Sequence, residues 1–211
     1  MSDSSPISGS TTLAVLAGGQ GSRMGTEKGL LRVRGEPILL HLLQQLRWSG
    51  STMLVTARHR TPPPGAELFN RVAVDAVDGQ GPLRGVLTAL ENSPGDVVAI
   101  TIDMPAITRD MLESLVEALR IQPQLDGLML EGSFDGGTRV EPFPSIYRQS
   151  ARTAIATALS QNRRSLCGLL HDSKFAAMPT PDDWPTSVWT NLNSPADLEA
   201  FEKWPHGRDK M

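Results

Sequence analysis

Residues 12–17 read TLAVLA, and the chain passes from them directly into the glycine-rich stretch GGQGSRMG. The run is apolar along its length rather than at alternate positions, so a strand built from it has to be covered on both faces. That requirement removes most architectures. A strand buried on both sides sits inside a mainly parallel sheet that carries helices on each face. The following segments supply the necessary alternation. GEPILLHLLQQLRWSG predicts a helix with Pro37 in its first turn and Gly50 just past its end, with Ile38, Leu39, Leu42, Leu43 and Leu46 at helical spacing. TMLVTA (52–57) predicts a strand, RTPPPG a loop and RVAVDA (71–76) a third, short strand. GPLRGVLTALENS opens a second helix that ends near Pro94.

The strongest strand pattern is DVVAITIDMP (96–105), where Val97, Val98, Ile100 and Ile102 precede an acid and a proline. Thr108 then caps a helix with Met111, Leu112, Leu115, Val116 and Leu119 on one face. Strands are expected at 126–131 and 143–147, a helix from about 150 to 160, and a short helix in NRRSLCGLLHD. SVWTNLNSPADLEAFEKW reads as strand, loop and a helix capped by Ser194 with Pro195 in first position. The expected class is α/β: a single Rossmann-like domain, mainly parallel sheet with helices on both faces. No repeat, heptad or internal linker divides it, so one domain is expected at 11–204, between a disordered tail at 1–10 and a frayed one at 205–211. The full length of 211 residues lets one such domain bury roughly 70% of its unfolded surface.

Composition narrows the function classes. A net charge of −3 gives no broad basic surface for nucleic acid, so any anion site must be local. Cys167 is the sole cysteine, which excludes a disulfide framework and points to a reducing cytosol. MSDSSPISGS has neither the basic nor the apolar region of a secretory signal, and no apolar run approaches the ~18 residues of a membrane span. A soluble, cytoplasmic protein without nucleic-acid or membrane partners is the expectation. The four histidines (41, 59, 171 and 206) lack metal-ligand spacing, and no serine sits in G-x-S-x-G. The eight methionines read as core filler.

The loop after the first strand is neither of the two common phosphate loops. Met24 stands where the third glycine of a dinucleotide fingerprint belongs, and Glu27 and Gly29 flank Lys28 where a P-loop needs Gly and Ser/Thr. The parts still suit a nucleotide. Gly18, Gly19 and Gly21 let the backbone pass close to a ligand, and Arg23 and Lys28 can meet phosphate oxygens as a fork and a point charge. The other reading is a glycine turn with two solvated cations.

LAGGQGSRMGTEKGLL resembles the L-A-[GA]-G-x-x-x-R-M-G-x-x-K signature of nucleotidyltransferases with a GT-A-like fold, and its spelling most resembles the molybdenum cofactor guanylyltransferases. VAVD at 72–75, GPLRG at 81–85, IDMP at 102–105 and NLNSPADLEAFE at 191–202 follow in the expected order, so the likeness spans Thr12 to Phe201. It implies transfer of GMP from GTP to the terminal phosphate of molybdopterin, with release of pyrophosphate and with Mg²⁺ as cofactor. It also implies roles for residues. Leu16, Ala17, Gly18 and Gly19 line the base and ribose; Gly21, Ser22, Arg23 and Lys28 surround the triphosphate. Arg23, Lys28 and Asp103 form the catalytic set, with Lys28 compensating phosphate charge as the transition state forms.

Asp103 is the metal candidate, since it ends a strand where an α/β sheet opens on its ligand crevice; the other reading is a cap for the Thr108 helix. Asn193 matches a second metal-contacting position or is ordinary loop chemistry. Asp75 either accepts the two donors of guanine or orients the loop before GPLRG, while Pro82 and Gly85 shape the base pocket. Arg84 and Arg139 either meet the pterin phosphate or stay solvated, and Trp184, Trp189 and Trp204 either pack the C-terminal end or touch the pterin. Thr56 replaces the usual Asn, and Glu27 the usual Asp. TIDMP lacks the cysteine often found ahead of the acid. GTP and molybdopterin are the implied partners, with molybdoenzymes or their chaperones downstream. The competing readings are a molybdopterin cytidylyltransferase, a sugar-phosphate nucleotidyltransferase of the same fold, and a non-catalytic nucleotide or cofactor carrier.

Overall fold

The computed structural model describes residues 11–18, 28–134 and 137–203. The apolar run forms β1 (Thr12–Leu16), every residue of it buried. Beside it lie β4 (Thr52–Thr56) and β6 (Val97–Thr101), both parallel to it, in register at Leu16↔Val55 and Leu16↔Thr101. β5 (Arg71–Val74) continues the parallel set beyond β4. A two-residue ribbon, β2 (Arg32–Val33) with β3 (Glu36–Pro37), stands apart before α1 (Ile38–Leu46).

The remaining strands are β7 (Gly127–Phe134), β8 (Gly137–Tyr147) and β9 (Phe175–Pro179). Strand order is β5-β4-β1-β6-β8-β7-β9, and β8 alone among these seven runs against the others. The sheet is therefore mainly parallel, as the sequence implies. α2 (Gly81–Asn92) packs on β1, β4, β5 and β6 and against α4 (Ala151–Ser160), while α3 (Arg109–Arg120) packs on β6, β7 and β8. The β1-to-β4 and β5-to-β6 connections travel in opposite directions along the sheet. Right-handed crossovers therefore put α1 and α2 on opposite faces. The strand order reverses about β1, which opens a crevice at the C-terminal ends of β1 and β6.

Several local expectations are corrected. Pro37 precedes α1 as its N-cap rather than lying in its first turn, because β3 holds it extended (φ −52°, ψ 136°). The helix ends at Leu46, not near Gly50, since Arg47 itself takes the left-handed conformation (φ 39°) and returns its N–H to the Leu43 carbonyl at 3.0 Å. SVW forms a 3-10 turn (Thr186–Trp189) and not a strand, and β9 was not anticipated. The short helix expected in NRRSLCGLLHD is a 3-10 turn at Cys167–His171. Met53, Met104, Met111 and Met129 are buried in the core, as a filler role requires. Among the described residues, no helix is long and apolar enough to cross a membrane, and no cluster of three His, Cys, Asp or Glu could hold a metal.

Candidate active site

β1 and β6 deliver the first two parts of the site to the same end of the sheet. The Ile102 N–H donates to the Leu16 carbonyl at 3.1 Å, so the ladder continues past β6 and sets the following Asp103 beside the end of β1. Asp103 is 7% exposed. A buried carboxylate needs a compensating charge, and Lys28 provides it: its ammonium donates to Asp103 Oδ2. The same ammonium donates to Asn193 Oδ1 at 2.8 Å. Asp103 Oδ1 is buried and takes no hydrogen bond from a described residue. The helix-cap reading of Asp103 fails, because Thr108 occupies the N-cap of α3 with extended dihedrals (φ −114°, ψ 163°).

Asn193 reaches this point through its neighbours. The Leu192 side chain is fully buried, and its N–H donates to the Asp103 carbonyl at 2.9 Å. One residue later a reciprocal cap begins α5 (Pro195–Lys203). Asp197 Oδ2 accepts from the N–H groups of Asn193 (3.0 Å) and Ser194 (2.7 Å), and Ser194 Oγ accepts from the Asp197 N–H at 3.3 Å. The loop is thereby fixed from both sides. Loop chemistry and an oxygen aimed at the site coexist in Asn193.

A cleft of about 490 Å³ opens beside these groups, lined by Leu16, Gly18, Lys28, Val55, Ala57, Asp75, residues 77–80 of the loop before α2, Gly81, Pro82 and Gly85 of α2, and Thr101, Ile102, Asp103 and Phe143. α2 points its N-terminus into this cleft, where the first-turn N–H groups favour anions. Gly85 permits the close approach of α2 to β1: a Cβ there would stand 3.3 Å from Leu16 Cδ1. Asp75 is held by its own N–H, which donates to the Thr56 carbonyl at 2.8 Å, and by the Thr88 hydroxyl, which donates to Oδ1 at 2.5 Å. Burial pushes the Asp75 carboxyl above its ordinary pKa, with the Thr88 bond and the Arg84 charge acting against it.

A second cleft of about 740 Å³ shares Lys28 with the first, and Ala17 and Thr56 line it with Arg60, Pro62, Pro63 and Pro64. The alternation of β4 is the reason: Val55 pairs with Leu16 on one face, so Thr56 projects on the other.

The structure thus brings together Leu16, Gly18, Lys28, Asp75, Pro82, Gly85, Asp103 and Asn193, while Thr56 and Ala17 border the neighbouring cleft. Gly19, Gly21, Ser22 and Arg23 lie outside the described residues, as does Trp204. Arg84 pairs with Glu91 at 2.7 Å and Arg139 with Glu141 at 2.6 Å. Trp184 and Trp189 pack against the core. Val77, Asp78, Gly79, Gln80, Ile102 and Phe143 also line the cleft, and the sequence reading missed them. The glycines of DGQG at 78–81 were the available signal, since Gly79 and Gly81 both adopt positive φ (73° and 69°).

The family model described as the MobA-like NTP transferase domain matches residues 13–174. The chain belongs to the MobA-like NTP transferase family. A protein from Methanothermobacter thermautotrophicus named "probable molybdenum cofactor guanylyltransferase" is 32% identical to this chain over 89% of its length and 96% of the relative. A molybdenum cofactor guanylyltransferase from Vibrio cholerae is 28% identical over 90% and 91%. The solved structure of molybdopterin-guanine dinucleotide biosynthesis protein A from Archaeoglobus fulgidus superposes with a TM-score of 0.76 at 24% identity, covering 90% of this chain and 96% of that one. The crevice of this MobA-like domain is where its fold class receives ligands, at the strand-order reversal.

Proposed function

We propose that the chain transfers GMP from GTP to the terminal phosphate of molybdopterin, forming molybdopterin guanine dinucleotide and pyrophosphate. The family and the guanylyltransferase names of its relatives support this reading. The observation that carries it is the convergence of Lys28, Asp103 and Asn193 at the mouth of a cleft that ends on Asp75 and the α2 N-terminus.

A phosphate oxygen of the acceptor attacks the α-phosphorus of GTP, the bond from that phosphorus to the β-phosphate bridging oxygen breaks, and pyrophosphate leaves. Both reactants are anionic, so the protein's task is to neutralise charge, align the two phosphates and exclude water. Asp75 accepts the N1–H and N2–H₂ donors of guanine, while Pro82 and Gly85 shape the wall beside the base. The Leu16–Gly18 backbone follows the ribose, and the family signature assigns Gly21, Ser22 and Arg23 to the triphosphate. Thr56, from the neighbouring face, contributes a hydroxyl near the Lys28 end.

Lys28 moves from its ion pair to the phosphates as negative charge gathers on the leaving pyrophosphate. The donor set suits a hard divalent cation. Asp103 has a buried oxygen without a hydrogen-bond partner among the described residues, and the Asp103 and Asn193 oxygens already converge on one cationic group. Asp103 and Asn193 would hold Mg²⁺, completed by phosphate oxygens and water; when bound, it supplies Lewis-acid stabilisation at the α-phosphate.

Base choice tests the reading. GTP with Mg²⁺ is expected to raise the melting temperature more than CTP or ATP at equal concentration, because differential affinity alone produces a difference. Pyrophosphate release on mixing with GTP, Mg²⁺ and molybdopterin is expected, and equal stabilisation by CTP would remove the guanylyl assignment.

A further inference from the structure

The buried face of α2 is apolar except at one position. Thr88 is 2% exposed, and it carries the one hydroxyl among the buried residues of a helix whose others, Leu83, Val86, Leu87 and Leu90 among them, are apolar. A hydroxyl taken from water into such a place is unfavourable unless it finds a partner. Its partner is Asp75 Oδ1, at 2.5 Å. The bond runs from the middle of a helix to the residue just past the end of β5, so two separate elements fix one carboxylate. The Asp75 N–H, bonded to the Thr56 carbonyl at 2.8 Å, fixes the main chain as well.

We propose that Thr88 is a positioning residue for base selection, its hydroxyl holding the Asp75 carboxylate in the orientation that reads the guanine edge. The proposal rests on the guanylyl reading above. Guanine presents N1–H and N2–H₂ side by side, which match the two oxygens of a carboxylate. Adenine and cytosine each place a ring-nitrogen acceptor there, which a carboxylate repels. That discrimination requires the carboxylate plane to face the base. The terminal torsion of an aspartate is broad and roughly two-fold, so nothing in the side chain itself sets the plane. The Thr88 bond sets it, and Oδ1 keeps a second lone pair for the ligand. The same bond favours the ionised carboxylate against burial, aided by the Arg84 charge and opposed by Asp78 and Glu91.

The test is Thr88→Val, read by calorimetric titration with GTP, ATP and inorganic tripolyphosphate, each with Mg²⁺. GTP affinity is expected to fall about tenfold, the scale of one lost hydrogen bond. Tripolyphosphate and ATP affinities are expected to stay unchanged, so the preference for GTP over ATP narrows by the same factor. Thr88→Ser restores the preference. Should the valine variant not fold, Thr88→Ser and Thr88→Ala supply the same comparison with and without the hydroxyl. Equal losses for GTP and tripolyphosphate would make Thr88 structural and overturn the proposal, as would an unchanged preference. Asp75→Asn separates the two levels. If that variant keeps the full preference for GTP, the guanine role of Asp75 falls and the proposal with it. If it loses the preference while Thr88→Val keeps it, only the role of Thr88 falls.

Discussion

The Lys28 ammonium donates to the Asp103 carboxylate across a separation of 75 residues, and the pair is mostly buried, with side-chain exposures of 17% and 10%. The partner that neutralises the acid is also the cation that the phosphates of a nucleotide would recruit. Under the proposed function, ligand binding would exchange one set of anionic oxygens around Lys28 for another, and Asp103 and Asn193 would hold a divalent ion in place of the ammonium. Neither exchange leaves a buried charge without a partner.

Lys28→Ala separates binding from chemistry at this point. If the ammonium meets charge that grows in the transition state, turnover falls by about 10²-fold or more, the scale of removing one preorganised electrostatic group. GTP affinity, measured by titration, is expected to fall much less. Weakened binding at unchanged turnover would reduce Lys28 to a docking contact.

A second prediction concerns the sheet that supports the site. Gly127 opens β7 between two buried rings, and a Cβ at that position would stand 2.8 Å from Tyr147 Cδ1 and 2.9 Å from Phe175 Cδ1. Both rings belong to the neighbouring strands β8 and β9, so neither can withdraw without opening the sheet. Gly127→Ala is expected to cost about 1–3 kcal/mol in urea unfolding, the range for overpacking a core. GTP affinity should be unchanged below the transition, since the Asp103 end of the sheet is untouched.

Much of the parallel half of the fold was legible because its strands are short apolar runs between glycine and proline, a pattern with one physical solution. The C-terminal half was less so. β9 (FAAMP) is half-buried at a sheet edge and carries neither β-branched residues nor alternation. SVW has strand-like composition, yet Pro185 and the burial of Val188 settle it as a 3-10 turn. In the site, Asp103 was visible as a charge at the end of an apolar strand and Lys28 as a cation in the glycine-rich loop that follows β1. The Thr88 hydroxyl was not, because a threonine within a helix gives no sign of the long-range partner that explains it. Thr56 was placed by the resemblance, as the counterpart of the usual Asn, and strand alternation turned it to the adjoining cleft.

His41 offers a pH test of the packing behind the site. Burial lowers its pKa below 6.5, with the Arg34 charge acting the same way and the Pro105 carbonyl and Glu36 opposing. Its Nε2–H donates to the Pro105 carbonyl at 3.1 Å, and the ring meets Phe201 edge-on at 6.1 Å. With the folded pKa below the unfolded value, the unfolded chain binds the extra proton between them. Stability is thus complete above about pH 6.5 and is lost as pH falls toward the folded value. The urea midpoint of the wild type should drop between about pH 7.5 and pH 5.5 by more than that of His41→Gln, which cannot titrate. Parallel curves would show that protonation of His41 is not linked to folding.

The last prediction rests on Asp103, whose buried Oδ1 has no hydrogen-bond donor among the described residues while Oδ2 holds Lys28. Asp103→Asn keeps the size and one carbonyl oxygen but removes the negative charge that a hard divalent cation needs. Turnover should collapse while the fold persists, because Thr108 and not Asp103 begins α3, and the Asp103 main-chain carbonyl still accepts from Leu192. Raised Mg²⁺, or the more tightly bound Mn²⁺, should recover part of the activity. Metal binding can be read without turnover, by titrating Mn²⁺ in the presence of GTP and following the free-ion resonance. A variant that binds Mn²⁺ and turns over as the wild type does would place the ion elsewhere, on Asn193 and the phosphates. One that unfolds would make the Lys28–Asp103 pair primarily a structural contact.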